Sequence, residues 1–230
     1  MVLNLTPAIS VARFFVPAIR FFQKANEVYC LCLSNGNYDG LGQVREKELE
    51  KACRLLGFTE PPVIIDHPDL QDGPDTNWDV NKTAEEIKKY LRSKQGDFEI
   101  DIIITFDEWG ISYHPNHKAV HHACKLVHAS DEHKIDLMTL RTVNIFRKYW
   151  GYADIYFVDG NRYHFFNFNV IESIFAMSAH FSQWVWFRRL HVLFSRYTWL
   201  NSLDYFEHHS NKQEKEKEKK SDGDAKKKTD

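Results

Sequence analysis

The 230-residue sequence is poor in cysteine, has almost no net charge, and contains no long uncharged apolar run. Its four cysteines, Cys30, Cys32, Cys53 and Cys124, are too few and too scattered for a disulfide framework, and none forms a C-x-x-C pair. Cys30 and Cys32 lie two apart in an apolar run, so a strand would turn both to one face as small buried hydrophobes. A transmembrane helix needs roughly 18 or more consecutive apolar residues, and the globular body offers no such stretch. Met1 to Phe22 is apolar and aromatic, but Pro7, Arg13, Pro17 and Arg20 interrupt it, which suits neither a signal peptide nor a spanning helix. Lys and Arg number 30 against 32 Asp and Glu, and residues 211–230 hold eight Lys and six acids. The preceding body therefore carries 22 basic and 26 acidic residues, which argues against a nucleic-acid partner, since such binding needs a basic face.

What is present suffices for a core: 43% of residues are hydrophobic and 27% charged, at a length suited to one α/β domain. Glu27 to Leu33 is β-prone and is followed by the turn residues Ser34-Asn35-Gly36-Asn37. From Gln43 to Leu56, the residues Val44, Leu49, Ala52, Cys53 and Leu56 recur at helical spacing, and Gly57 supplies a C-cap. Val63 to Ile65 reads as a short strand, Asp66 to Asn77 as a loop, and Asp79 to Arg92 as an amphipathic helix through Val80, Ala84, Ile87 and Leu91. Ile100 to Phe106 is a strand of the continuous apolar kind that a parallel sheet buries on both faces. Such alternation predicts an α/β sandwich with right-handed crossovers. A further helix is predicted over 116–128, with strands over 140–145 and 155–158. Val170 to Leu203 reads as helix-compatible and aromatic, and it carries Arg188, Arg189 and Arg196. Its Trp184, Trp186, Phe187, Phe194, Tyr197 and Trp199 suit a membrane interface, or equally a helix packed on the sheet with exposed cations. Beyond Ser210 the Lys/Glu run predicts disorder.

Ligands of open α/β sheets bind beyond the carboxyl ends of the strands, and two loops there are polar enough: Ser34 to Asn37, and Asp107 to His117. In the second, His114-Pro115-Asn116-His117 places Pro115 at the first helical position, where its missing N–H costs nothing, and holds both imidazoles near a partly positive helix start. There His117 can ligate a divalent metal while His114 polarises a carbonyl or donates a proton. Two of twelve histidines at this spacing equally describe an ordinary solvated helix start. His121 and His122 read as solvated helix surface. Asp66, His67 and Asp69 form a second polar turn that can face a substrate sugar.

Taken in order, several elements resemble the N-acetylglucosaminyl-phosphatidylinositol de-N-acetylase family (PIG-L, related to LmbE-like deacetylases). They are Ser34 to Asn37, Gly42 with Arg45 and Glu48-Leu49, the loop from Asp66 to Asp79, Thr105-Phe106-Asp107, His114 to His117, Val143-Asn144 with Arg147-Lys148-Tyr149, and His180 to Gln183 with Trp186 to Leu190. The resemblance runs from about Phe14 to Phe206. It implies a Rossmann-like three-layer sandwich with a mostly parallel sheet, a deacetylase domain over 13–206, an atypical segment over 1–12, and a Lys/Glu-rich tail over 207–230. It also implies a zinc-dependent amidohydrolase acting on GlcNAc-phosphatidylinositol in glycosylphosphatidylinositol anchor biosynthesis, at the cytoplasmic face of the endoplasmic reticulum membrane. The partners so implied are that glycolipid and the membrane surface. By the same resemblance His114 is the catalytic imidazole, His117 a zinc ligand, and Ser34, Asn35, Gly36, Asn37, Arg45 and Asn116 bind substrate.

One departure changes the chemistry. The family opens with a strand ending in Ala-His-Pro-Asp-Asp-Glu, followed by a helix start like Phe-Phe-x-Pro. Phe14-Phe15-Val16-Pro17 matches that helix, but the six positions before Ala12 read Thr6-Pro7-Ala8-Ile9-Ser10-Val11. The first family strand is therefore expected to be missing or replaced, and with it go two of three protein zinc ligands and the general-base Asp. The family's N-terminal membrane anchor has no counterpart here either, the pattern of a truncated or altered start. Zinc needs about three protein ligands plus a water to make hydroxide near neutral pH, so the ligand set is incomplete. The alternative expectation is an impaired or inactive relative that binds the glycolipid or a membrane surface without hydrolysis.

Overall fold

The computed structural model describes residues 1–6, 9–73, 76–97, 99–130 and 132–209; the Lys/Glu run beyond Ser210 lies outside them. In chain order the elements are β1 (Val2–Thr6), α1 (Ser10–Phe14), α2 (Val16–Phe22), β2 (Val28–Cys32), α3 (Gly42–Leu56), β3 (Val63–Ile64), α4 (Val80–Lys94), β4 (Ile102–Phe106), α5 (Gly110–Tyr113), α6 (Pro115–His128), β5 (Asp136–Leu140), α7 (Ile145–Lys148), β6 (Tyr163–Phe166), α8 (Val170–Ala179), α9 (Trp186–Phe194), α10 (Arg196–Trp199) and β7 (Leu200–Phe206). Seven strands form one sheet in the order β3-β2-β1-β4-β5-β7-β6. Pairing is parallel from β3 through β5, while β7 runs antiparallel to both β5 and β6.

The first strand is not missing. β1 stands mid-sheet, in register with β2 from Val2↔Val28 to Thr6↔Cys32 and with β4 from Val2↔Ile102 to Asn4↔Ile104. Residues 2–6 thus replace the family strand, and Val2 and Leu3 are buried on opposite sides of the sheet.

Strict alternation divides the core into two layers. Cys30, Cys32, Ile104, Phe106, Met138 and Leu140 pack with α1, α2, α3 and α8, whereas Tyr29, Leu31, Ile103 and Leu137 pack with α4 and α6. Both cysteines at 30 and 32 are indeed small core residues on one face.

Three expectations need correction. The strand expected over 140–145 lies earlier, at Asp136–Leu140, because Asn144 leaves the sheet to cap α7, its Oδ1 accepting from Arg147 N at 3.0 Å. The strand expected over 155–158 is a 3₁₀ stretch, Gly151–Phe157, anchored by the fully buried Asp154, which accepts two hydrogen bonds from Arg147 and lies 2.9 Å from Arg196 Nε. The segment read as helix-compatible from Val170 to Leu203 is broken into α8, α9 and α10 and then enters β7. Tertiary bonds decide the last change: Asn201 Oδ1 accepts from Ala18 N at 3.1 Å and its Nδ2 donates to Phe14 O at 2.8 Å, tying β7 to α1 and α2.

Candidate active site

Strand order reverses between β1 and β4, and the crevice beyond their carboxyl ends is where open α/β sheets bind ligands. A cavity of about 370 Å³ opens there, and its lining includes Ser10, Arg13, Ser34, Gly36, Arg45, Asp72, His114, His117 and Arg188. Of the residues expected to act, the fold brings Ser34, Gly36, Arg45, His114 and His117 to this one space.

The wall from β2 and α3 is closely cross-braced. Gly36, at φ 71°, turns the chain so that its carbonyl accepts from Arg45 Nη1, while Arg45 Nη2 pairs with Asp39. Ser34 Oγ accepts from Gly36 N at 3.1 Å, which leaves its own proton to donate. Asn35, Asn37 and Asn116 stand behind this surface rather than in it. Asn35 Nδ2 donates to Glu46 at 3.2 Å, Asn37 Oδ1 accepts from Gly42 N at 2.9 Å, and the fully buried Asn116 donates from Nδ2 to Asp72 Oδ1 at 3.0 Å. Gly42 is needed for this packing, since a Cβ there would meet Asn37 Cβ at 2.9 Å.

The opposite wall is built by the loop between β4 and α6. Asp107 collects the amides of Trp109 and Gly110 and both the amide and hydroxyl of Thr142, so it braces the loop and does not enter the cavity. Backbone strain follows at Ile111 (φ 62°) and Tyr113 (φ 60°), a conformation costly for a β-branched residue and typical of sites where geometry is over-determined. His114 caps α6: its Nδ1 accepts from Asn116 N at 3.4 Å, so the neutral ring carries its proton on Nε2, the remaining ring nitrogen.

His117 is buried, stacked on Phe106 with ring centroids 4.0 Å apart. Its Nδ1 lies 2.8 Å from Gly110 O and donates there, so Nε2 is left to accept from Ser10 Oγ at 3.2 Å. Gly110 permits this approach, since a Cβ would stand 2.6 Å from His117 Cβ. Burial, and after it the neighbouring His114, Arg13 and Lys148, pushes the His117 imidazole down to about 3 against the opposing hydrogen bond to Gly110 O. It is therefore neutral and a poor base, unable to activate Ser10 as a nucleophile at ordinary pH.

The residues here do not fit a zinc ion. Among the described residues no three His, Cys, Asp or Glu side chains converge as a ligand set. His117 Nε2, the nitrogen left for a metal, already accepts from Ser10, and cations rather than carboxylates stand around it. His67 and Asp69 do not line the cavity; Asp69 pairs with Lys82, and Asp66 accepts from Gln71. His121, expected on a solvated face, is instead buried, with Nδ1 donating to Phe106 O at 2.9 Å, while His122 is exposed.

Sequence reasoning missed Arg13 and Ser10 as cavity residues and read Arg188 as an interfacial cation. Arg13 had one legible signal, a charge in an otherwise apolar run that holds only Arg20 besides, and the fold half-buries it. Arg188 reaches the cavity because Glu48 of α3 accepts from both the amide (2.6 Å) and hydroxyl (2.7 Å) of Ser182, fixing the turn before α9.

Residues 14–128 match the family model described as PIG-L: GlcNAc-PI de-N-acetylase. The chain is 35% identical over 210 residues to N-acetylglucosaminyl-phosphatidylinositol de-N-acetylase of Bos taurus, covering 84% of this chain and 78% of the relative. It is 32% identical over 227 residues to the probable enzyme of that name from Dictyostelium discoideum, covering 83% and 86%. Among solved structures, the fold is similar to N,N'-diacetylchitobiose deacetylase from Pyrococcus horikoshii, with a TM-score of 0.60, 16% identity and coverage of 90% and 84%. A deacetylase of teicoplanin biosynthesis is similar at the same TM-score, with 14% identity and coverage of 90% and 98%. With sheet order, cavity and matched residues in agreement, the chain belongs to the GlcNAc-PI de-N-acetylase family.

Proposed function

We propose that this chain acts on N-acetylglucosaminyl-phosphatidylinositol as a de-N-acetylase of glycosylphosphatidylinositol anchor biosynthesis, at the cytoplasmic face of the endoplasmic reticulum membrane. The observation that carries the reading is the gathering of Ser34, Gly36, Arg45 and His114 around one cavity in a chain 35% identical to a relative of that name. The reaction is amide hydrolysis: water adds to the acetyl carbon, the C–N bond breaks, and the amine leaves with a proton. His114 offers a hydrogen bond from its Nε2–H to the carbonyl oxygen as negative charge develops there, and the proton that the water loses on adding to the acetyl carbon ends on the departing nitrogen. Arg45, locked by Gly36 and Asp39, and the Ser34 hydroxyl orient the sugar or its phosphate.

A membrane surface is the second partner. Among the described residues no helix is long and apolar enough to cross a membrane. Support for surface contact comes from α9, whose Trp186, Phe187, Leu190 and Phe194 are exposed beside the exposed Arg189, an aromatic and cationic face of the interfacial kind.

The test is mass-spectrometric assay of the full chain on GlcNAc-phosphatidylinositol in vesicles. Conversion to the free amine, lowered at least about a hundredfold by His114→Ala, is expected. Tight binding without any conversion would overturn the hydrolytic reading and leave a glycolipid-binding relative.

A further inference from the structure

The cavity wall formed by α1 and α9 holds two cations, Arg13 and Arg188, that make no ion pair among the described residues. Arg13 Nε is buried without a hydrogen-bond partner among the described residues. Arg188 donates from Nη1 only to Gln183, at 2.9 Å to the carbonyl and 3.3 Å to Oε1, and its Nε is likewise buried and unpartnered. Lys148, behind them, reaches only Ile111 O at 3.3 Å. The two carboxylates that line the cavity among the described residues are held elsewhere, Asp39 by Arg45, from where its charge also acts on Arg188, and Asp72 by Asn116. The fields of the three cations overlap: together with burial they push His191 down to about 2, and burial and Arg188 lower Arg13 to about 10.

Such a cluster lacks a counter-ion that the protein does not supply. We propose that this wall is an oxyanion seat, holding a phosphoryl group between Arg13 and Arg188 with the Ser34 hydroxyl as a third donor. Guanidinium forks match phosphate oxygens in geometry as well as charge. The same cations repel a divalent metal, which fits the failure of the side chains around His117 to form a ligand set. The seat does not depend on turnover and would persist in a chain that hydrolyses nothing. The ligand chemistry, a phosphate monoester or diester, has two sources, free phosphate and a lipid headgroup.

Calorimetric titration of the full chain with inorganic phosphate and, separately, with glycerophosphoinositol decides the matter. At least one is expected to bind, with affinity falling as salt rises and weakened at least about tenfold by Arg13→Met and by Arg188→Met. Arg54→Met, at a surface pair with Glu50, is expected to leave it unchanged. Tighter phosphate assigns the seat to a free phosphate, and a tighter diester assigns it to a lipid headgroup. Thermal melts guard against misfolding: Arg13→Met should melt no lower than the parent chain while losing the rise in Tm that the anion confers. No binding of either probe to about 10 mM, or equal affinity in both variants, would overturn the proposal, as would one bound zinc per chain that phosphate leaves undisturbed.

Discussion

Two groups of half-buried or buried arginines lie within one molecule, and they are treated oppositely. Around the fully buried Asp154, Arg147 donates from Nε at 2.7 Å and Nη2 at 3.0 Å, Arg196 Nε stands 2.9 Å away, and Arg196 Nη2 reaches Ser202 Oγ at 2.9 Å. At the cavity, neither Arg13 nor Arg188 makes an ion pair among the described residues. A buried charge is tolerated only when paired, so the first group is architecture and the second is an unfinished interaction that a ligand would complete. The first pins the 3₁₀ stretch to α10 and the final strand; the second faces an opening.

This contrast can be broken most sharply at Asp154. Asp154→Asn strands Arg196 without its charge partner and is expected to cost about 3–5 kcal/mol, read as a fall in the urea midpoint at unchanged slope. A null effect would erase the distinction between the two groups. Next in size is acid sensitivity. His180 and His191 are buried without hydrogen-bond partners; burial and then Arg188 lower His180 to about 4, while burial and the cavity cations lower His191 to about 2. Below about pH 6.5 the unfolded chain takes up protons that the native histidines refuse. Stability is therefore full above that value and is lost as pH falls, by about 1–2 kcal/mol per histidine at pH 5. His191→Phe should flatten this dependence in denaturation series from pH 7 to 5.

The remaining tests concern the cations at and behind the cavity. Lys148 is lowered to about 8, by burial first and Arg13 second. Between pH 8 and about 10.5 the unfolded chain holds the proton that the native Lys148 has released, so stability rises with pH across that window. Lys148→Met should remove the rise. Arg13→Met relieves a desolvated, unneutralised charge and is expected to stabilise the ligand-free chain by about 1 kcal/mol, the opposite sign to Asp154→Asn.

Much of the fold was legible from local pattern. The strands ending at Cys32 and Phe106 and the helices starting at Gly42, Val80 and Pro115 carry period-two or helical spacing with turn and cap residues at their ends. β7 was not legible, because its Asn201 and Ser202 look like surface polar residues until Phe14, Ala18 and Arg196 supply their partners. The candidate site divides in the same way. His114 and Arg45 could be named from the motif, whereas Arg13 and Ser10 enter only because β1 brings α1 against the loop after β4.

The amino-acid sequence by itself determined the α/β class, the family, and the replacement of the Ala-His-Pro-Asp-Asp-Glu positions, since these depend on residue identity and near-neighbour spacing. Tertiary structure alone decided that residues 2–6 fill the central strand, that His117 bonds to Ser10, and that Arg13 and Arg188 line one cavity without an ion pair among the described residues. Charge balance in a buried site is a sum over residues far apart in the chain, and only folding sets the distances over which that sum is taken.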